Sequence, residues 1–476
     1  MRKIYIMLLM SSVVLLTACD MLDIQPTGKV IPQTLAEYRA LIATAYKNVP
    51  DARGLACFRS DELYVKDDSW EQDRYGKIEC WDDFSAPGQT TSFEWKNFYS
   101  IMFTANYTIE ERNSINEGSE EDINQLIGEC YLLRAYMHFL LVNLYGQPYT
   151  RPGALETKAV PLKLNSDINE ILKKNTVAQI YEAVLSDINE AEKLINKESW
   201  EQKFSYRFTT LSVKALRARV LLYMGQWDDA YKAAEVVLAG KNSLEDFNDE
   251  AFMLPNHYQS VENITALERG MSSNYTQAAA LSETLASSYG EGDLRLDAYF
   301  KPTDKNGYRF SQKSGKDDFR CSFRVGEMYL NSAEAAAQSD KLPQARTRLL
   351  ELMQKRYTPE AYAAKVTAVN AMNKETLIQE ILNERTRELA FEGHRWFDLR
   401  RYMVNDLYPY EKTLTNIYTV YEYSYTSYSY ELTLYRKYSL PPHDGAWTLP
   451  IPLEELNSNY GMPNNERGVR NYESLL

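Results

Sequence analysis

Residues 383–402 read N-E-R-T-R-E-L-A-F-E-G-H-R-W-F-D-L-R-R-Y, and ten of these twenty positions are Glu, Asp, Arg or His. Such density suits an active site, but it also suits an ion network that holds a fold together. Helical phase separates the two. Asn373 is placed to cap a helix, and Leu377, Ile378, Ile381, Leu382 and Leu389 recur at helical spacing. At ~100° per residue, Arg385 falls ~20° from Ile378 and Glu392 ~40° from it on the same side. Glu384 and Glu388 flank that apolar stripe, Arg387 points away from it, and Gly393 is placed to stop the helix. A charge on a core-facing stripe needs a partner, because an unpaired buried ion is costly. The spacing therefore predicts that Arg385 and Glu392 are buried and paired, as framework rather than catalytic groups.

The rest of the chain reads as mainly helical. Thr34-Leu35-Ala36-Glu37 and Thr176-Val177-Ala178-Gln179 are capping boxes, in which the two polar side chains satisfy each other's free backbone N–H groups. From Gly128 to Leu144 apolar residues occupy every side, so that helix should be buried all round. Its charges, Glu129 and Arg134, lie on different faces and should each pair with another element. In residues 209–239, Gly225-Gln226-Trp227 joins two helices, with Ala230, Ala233 and Ala234 on the second. A tight Gly turn followed by small residues for close helix contact resembles a tetratricopeptide hairpin. A similar pair recurs near 324–356, with Tyr329, Ala333, Ala335, Leu342, Ala345 and Leu349. The two hairpins are far more than one repeat apart, so non-repetitive sequence is inserted between them.

Three inserts stand out, near 50–92, 240–320 and 405–440. The first reads as polar loop carrying Trp70 and Trp81. The second is irregular, with Tyr289, Tyr299 and the turn signal Asp304-Lys305-Asn306-Gly307. In the third, the alternation of Tyr421, Tyr423 and Tyr425 places them on one face of a strand, and Ser427 breaks the register as a turn or bulge would. The 36 tyrosines of the chain suit wet binding surfaces, because each offers a flat apolar face and a polar tip. Trp70, Trp81, Tyr289 and Tyr299 are the candidate binding platforms, chosen for aromatic type and insert position.

The N-terminus carries a basic Met1-Arg2-Lys3 and an apolar run from Ile4 to Leu16, too short to span a bilayer as a stable helix. Leu16-Thr17-Ala18-Cys19 follows and resembles a bacterial lipoprotein box. The resemblance implies cleavage of a 1–18 signal peptide, a lipid on Cys19 and a tether over 19–33, with Asp20 and Asp23 loosely matching a surface-export signal. Cys57, Cys80, Cys130 and Cys321 remain, too few for a disulfide scaffold. A Cys57–Cys80 bridge stays open from sequence.

A net charge of −13 weighs against nucleic-acid binding. No H-E-x-x-H, G-x-S-x-G or phosphate-binding loop is present, and His138, His257, His394 and His443 have no zinc-ligand spacing. No cofactor or metal is expected. Paired carboxylates could serve glycoside hydrolysis, but 66 acidic residues make pairs inevitable.

Together these residues resemble one family. Glu384, Arg385, Glu388, Leu389, Phe391, Glu392, Gly393, Arg395, Asp398, Leu399 and Arg401 resemble the signature of SusD/RagB-type outer-membrane lipoproteins. Gly128-Glu129 with Leu133-Arg134-Ala135, Arg324 with Glu327-Met328-Tyr329-Leu330, and Leu449-Pro450-Ile451-Pro452 agree in the same order. The tail departs from the family, with Met462-Pro463-Asn464-Asn465-Glu466-Arg467-Gly468 where a Gln-Asn-Pro-Gly-Tyr-like run is usual. The resemblance implies a single SusD-like domain over 34–476, anchored at the outer membrane by its lipid and facing outward. It implies a binding protein, not an enzyme, that captures glycan and delivers it to a SusC-like TonB-dependent transporter. Rival readings are a peptide-capturing relative, a secreted glycoside hydrolase and a purely structural repeat adaptor.

Overall fold

The computed structural model describes residues 31–83 and 90–475. The expected signal peptide, Cys19 and the expected tether up to residue 30 lie outside the described residues. Among the described residues, eleven helices are eight residues or longer. They are α1 (Leu35–Lys47), α2 (Lys96–Glu110), α3 (Glu120–Tyr145), α4 (Val177–Leu194), α5 (Thr210–Tyr223), α6 (Trp227–Gly240), α7 (Val325–Gln338), α8 (Leu342–Gln354), α9 (Pro359–Ala371), α10 (Lys374–Glu388) and α11 (Arg395–Tyr402). The fold is mainly α and tetratricopeptide-like, as the periodicity requires. Both capping boxes form, and Asn373 caps α10 by accepting from the Thr376 N–H.

Helix α3 is the hub. From Gln125 to Tyr145 every residue except Tyr131 is buried, because α2, α4 and α5 pack around it. The charges within it are met by other elements. Glu129 accepts from the Tyr46 hydroxyl at 2.9 Å and from Arg207 at 2.7 Å. Arg134 grips Asp187 of α4 at 2.6 and 2.8 Å and donates to Asn106 of α2. Helices α5 and α6 then form a hairpin whose turn is Gly225, at φ 67°, a left-handed conformation that glycine adopts freely. The α7–α8 hairpin turns at Asp340, φ 63°, so an acid does there what glycine does in the first. Although residues 241–324 lie between them, α6 packs directly against α7. The interrupted repeats stack as if contiguous, and α10 closes against α7.

Among the described residues nine strands decorate this scaffold: β1 (Leu63–Val65), β2 (Lys158–Pro161), β3 (Lys174–Thr176), β4 (Asn263–Thr265), β5 (Ala279–Leu281), β6 (Phe323–Arg324), β7 (Leu414–Ser424), β8 (Ser429–Leu440) and β9 (Tyr472–Leu475). The longest pair, β7 and β8, is a hairpin with β9 added at the β8 edge. The 50–92 segment is not the polar loop its composition promised. Ala52–Cys57 is a wholly buried helical turn. Its Gly54 crosses the second insert so closely that an added Cβ would stand 2.2 Å from the Gly270 carbonyl oxygen. Cys57 and Cys80 are separate buried thiols with no bridge.

The 383–402 stretch lies at the centre of a buried ion network. Helix α10 ends at Glu388, earlier than Gly393, and Leu389–Gly393 forms a turn with Phe391 at φ 60° and Gly393 at φ 74°. Glu392 therefore reaches the interior from the turn, not from the helix stripe. It accepts from Arg324 at 2.8 Å and from Lys313. Glu388 is met by three guanidinium groups, Arg324 at 2.7 Å, Arg356 at 2.9 Å and Arg295 at 3.1 Å, all with side chains at most 2% exposed. Arg385 pairs with Asp398 at 3.2 Å and donates to Asn331. Arg387, expected to point away, is itself buried and pairs with Glu384 at 2.7 Å. Burial alone would push these carboxyls up, but the arginines more than offset it. Arg295 and Arg387 hold Glu384 at about 2, and Arg356 and Arg324 hold Glu388 well below the usual range.

Two outcomes follow from this network. Glu388→Ala leaves three buried cations short of their acceptor and should cost about 3–5 kcal/mol in urea unfolding. Because these carboxyls are depressed in the fold, their stabilisation is complete above the unfolded value of about 4.3. It should be lost as pH falls from about 4 towards 2, read as a falling urea midpoint.

Candidate functional site

The three inserts meet in one open groove of about 790 Å³. Every lining residue comes from an insert. Tyr64, Val65, Asp67, Gln72 and Glu79 belong to the first. Leu281, Glu283, Ala286, Thr303, Gly307 and Arg309 belong to the second. Thr415, Asn416, Ile417, Thr419, Tyr435 and Lys437 belong to the third.

Local sequence explains how each wall is placed. Strand β1 pairs with β5, Leu63 opposite Leu281, and so welds the first insert to the second. Asp68 accepts from the Trp70 and Glu71 N–H groups and starts the helical turns that bring Gln72 and Glu79 inward. Strand β7 docks on those turns. Gln72 Oε1 accepts from the Thr419 N–H at 3.4 Å, and Asn416 donates to the Glu79 carbonyl at 2.8 Å. Asp67 joins all three inserts. Its N–H donates to the Tyr308 hydroxyl at 3.1 Å, and its carboxylate accepts from the Tyr421 hydroxyl at 2.8 Å. Tyr64 and Tyr308 lie with ring centres 6.1 Å apart beside it.

The groove therefore offers aromatic faces among hydrogen-bonding groups. Its cations already have partners, Arg309 with Asp297 at 3.1 Å and Lys437 with Glu473 at 3.4 Å. Glu79 lies at the bottom, 1% exposed. It accepts from the Val65 N–H at 3.2 Å and has no cation within ion-pair distance among the described residues. Burial pushes its carboxyl well above the ordinary value, partly opposed by that N–H. A groove of this kind can stack flat ligand faces and exchange hydrogen bonds at their rims.

Of the four platforms expected from sequence, only Trp70 is at the surface, 58% exposed, with the Arg74 guanidinium 5.7 Å from its ring centre. The other three, contrary to that expectation, are buried. Trp81 is 1% exposed, at φ 57°, and its indole N–H donates to the Arg59 carbonyl. Tyr299 is fully buried under Lys313, whose Nζ stands 3.8 Å from the ring centre. Tyr289 is buried and donates to the Arg387 carbonyl at 2.9 Å. The inserts have cores of their own, continuous with the scaffold, and these rings fill them. Sequence reasoning missed Tyr64, Asp67, Tyr308 and Tyr435. The available signal was strand alternation, which had marked Tyr421. The Asp304–Gly307 segment is a turn, with Asp304 accepting from the Asn306 and Tyr308 N–H groups. No cluster of metal-binding side chains occurs among the described residues.

These features define a helical-repeat protein that carries its groove on inserts. The SusD family model matches residues 258–468, and a second model, described as starch-binding associating with outer membrane, matches residues 20–222. Between them the two models match most of the chain, which is therefore similar to the SusD/RagB-like family along most of its length. SusD-like protein P38 of Formosa agariphila is 24% identical over 470 residues, covering 83% of this chain and 90% of that protein. The crystal structure of a SusD superfamily protein from Bacteroides thetaiotaomicron matches with a TM-score of 0.73 at 20% identity, covering 91% of this chain and 100% of that one. A laminarin-binding SusD-like protein matches with a TM-score of 0.63 at 18% identity, covering 91% and 99%.

Burial separates the two tryptophans of the first insert by experiment. Trp81→Ala should destabilise the fold by about 3–5 kcal/mol, as loss of a large buried ring does. Trp70→Ala should stay within about 0.5 kcal/mol of the parent in the same thermal or urea measurement.

Proposed function

We propose that this chain is a lipid-anchored, outward-facing outer-membrane protein that captures glycan in the three-insert groove and passes it to a SusC-like TonB-dependent transporter. The observation that carries this reading is the groove's origin: its lining comes wholly from the inserts and combines aromatic faces with hydrogen-bonding groups. The C–H face of a pyranose stacks on Tyr64 and Tyr435, while Asn416 and Thr415 bind hydroxyls at its rim. The laminarin-binding relative and the starch-binding family description support sugar as the ligand class. The lipoprotein-like Cys19 motif supports the anchor, and no helix among the described residues is long and apolar enough to cross a membrane.

One observation favours a second reading, hydrolysis. Glu79 is a carboxyl that burial pushes well above its ordinary value, in a groove that Asp67 and Glu283 also line, as a general acid would be. Incubation of purified protein with a retained glycan decides between them. Capture predicts no shortening of the chain, and release of products abolished by Glu79→Gln would establish hydrolysis instead.

The capture reading is tested by affinity gels containing neutral plant and algal polysaccharides. Tyr64→Ala and Tyr435→Ala should each weaken retention by about tenfold, equivalent to about 1.4 kcal/mol. Retention unchanged in both variants would remove the groove as the site. Separately, Cys19→Ala should shift the protein from the membrane fraction to the soluble fraction of cells, and unchanged membrane association would exclude the lipid anchor.

A further inference from the structure

We propose that the groove continues along one face of the β7–β8 hairpin, as a tyrosine track that binds successive units of one extended, uncharged glycan chain. This rests on the groove being a glycan site and goes beyond it by fixing the ligand's length and charge. Ile417 and Thr419 line the groove, and strand alternation puts Tyr421 and Tyr423 on the same face. The Tyr421 hydroxyl bonded to Asp67 confirms which face that is. Opposite them on β8 stand Lys437, Tyr435, Leu432 and Tyr430. At ~3.4 Å per residue, the stretch from Ile417 to Tyr423 runs about 20 Å, room for several sugar units in a row.

The strand register decides what this face carries. Val420 pairs with Leu434, but Tyr421 pairs with Leu432, so Thr433 is an extra residue on β8. Its hydroxyl is tied to the Val420 carbonyl at 3.2 Å. Without that bulge, Tyr423 would stand opposite Glu431. With it, Tyr423 stands opposite Tyr430, and Glu431 is moved to the other face, directly opposite Glu422. Two like charges placed directly opposite destabilise a ladder. The hairpin accepts that cost and keeps Glu431 off the track.

What remains on the track is aromatic and ordered. Tyr423 meets Tyr430 at 5.4 Å and Tyr425 at 5.1 Å, both edge to face. Tyr423 is 42% exposed and Tyr430 62% exposed, so large ring surfaces face solvent. An exposed apolar patch of this kind marks an interaction surface. Tyrosine faces suit sugar C–H faces, and their hydroxyls suit its rim. The two cations that line the groove, Arg309 and Lys437, are each paired, and the carboxyl groups of Asp67 and Glu283 line it too, so a polyanionic chain is disfavoured.

The experiment uses the full soluble chain on an array of linear glucans, mannans, xylans and galactans, each from disaccharide to decasaccharide, beside alginate and polygalacturonate series. The wild type should bind a neutral series with affinity rising with chain length. The double variant Tyr423→Ala/Tyr430→Ala should lose about tenfold on the long members and leave the short ones unchanged. Glu422→Ala, on the opposite face, should leave both unchanged, and circular dichroism checks that each variant is folded. Flat length dependence, stronger binding of the polyanions, or an unaffected double variant would overturn the track while leaving the groove intact. A double variant that keeps full length dependence but no longer co-purifies with the transporter would assign the tyrosines to a protein interface and overturn the track as well. If neither the wild type nor Glu422→Ala binds any sugar, the glycan reading falls and takes the track with it.

Discussion

Glu388 shared among Arg295, Arg324 and Arg356 is the constraint on which the rest of this structure depends. Four charged groups out of water are tolerable only when each meets partners on several sides. The partners here come from different parts of the chain. Glu384 and Glu388 lie on α10, Glu392 lies in the turn that follows it, and Arg356 lies just beyond α8. Glu262, Arg295 and Lys313 come from the second insert, and Arg324 enters α7. The network thus bolts the insert to the repeats. Arg53 adds the first insert, donating to Glu268, to the Glu392 carbonyl and to His394, which burial holds neutral and able to accept. The two inserts that carry the first two walls of the groove are thus fixed from behind by buried ion pairs.

Much of the scaffold was legible in the sequence. The repeat hairpins announced themselves through Gly225 and the small residues of α6, and the caps through Thr34 and Thr176. The burial of Arg385 followed from helical phase alone. Phase also placed Arg387 outside, and there it failed, because a single helix cannot reveal that a second layer covers its far side. Glu392 is buried for a reason phase did not contain: the helix stops at Glu388 and the turn carries the acid inward.

The functional face was legible only in outline. The inserts could be delimited by their lack of repeat periodicity, and they do build the groove. Which aromatics face it could not be read. Trp81, Tyr289 and Tyr299 have the same composition signal as Tyr64 and Tyr435, and only long-range packing decides which side of the backbone each occupies. Local alternation worked at Tyr421 and Tyr423 because a strand has two faces and one of them must look outward.

The distances along the chain between bonded groups carry a kinetic consequence. Arg59 donates to the Ala446 carbonyl, 387 residues away, and Arg53 to the Gly393 carbonyl, 340 residues away. Neither cation can leave water until almost the whole polypeptide is present. Closure of these contacts is an event of high contact order, hence slow. The helices α2 to α5 can pack on one another without the rest, whereas the core is completed only when the C-terminal segments supply the partners of Arg53 and Arg59.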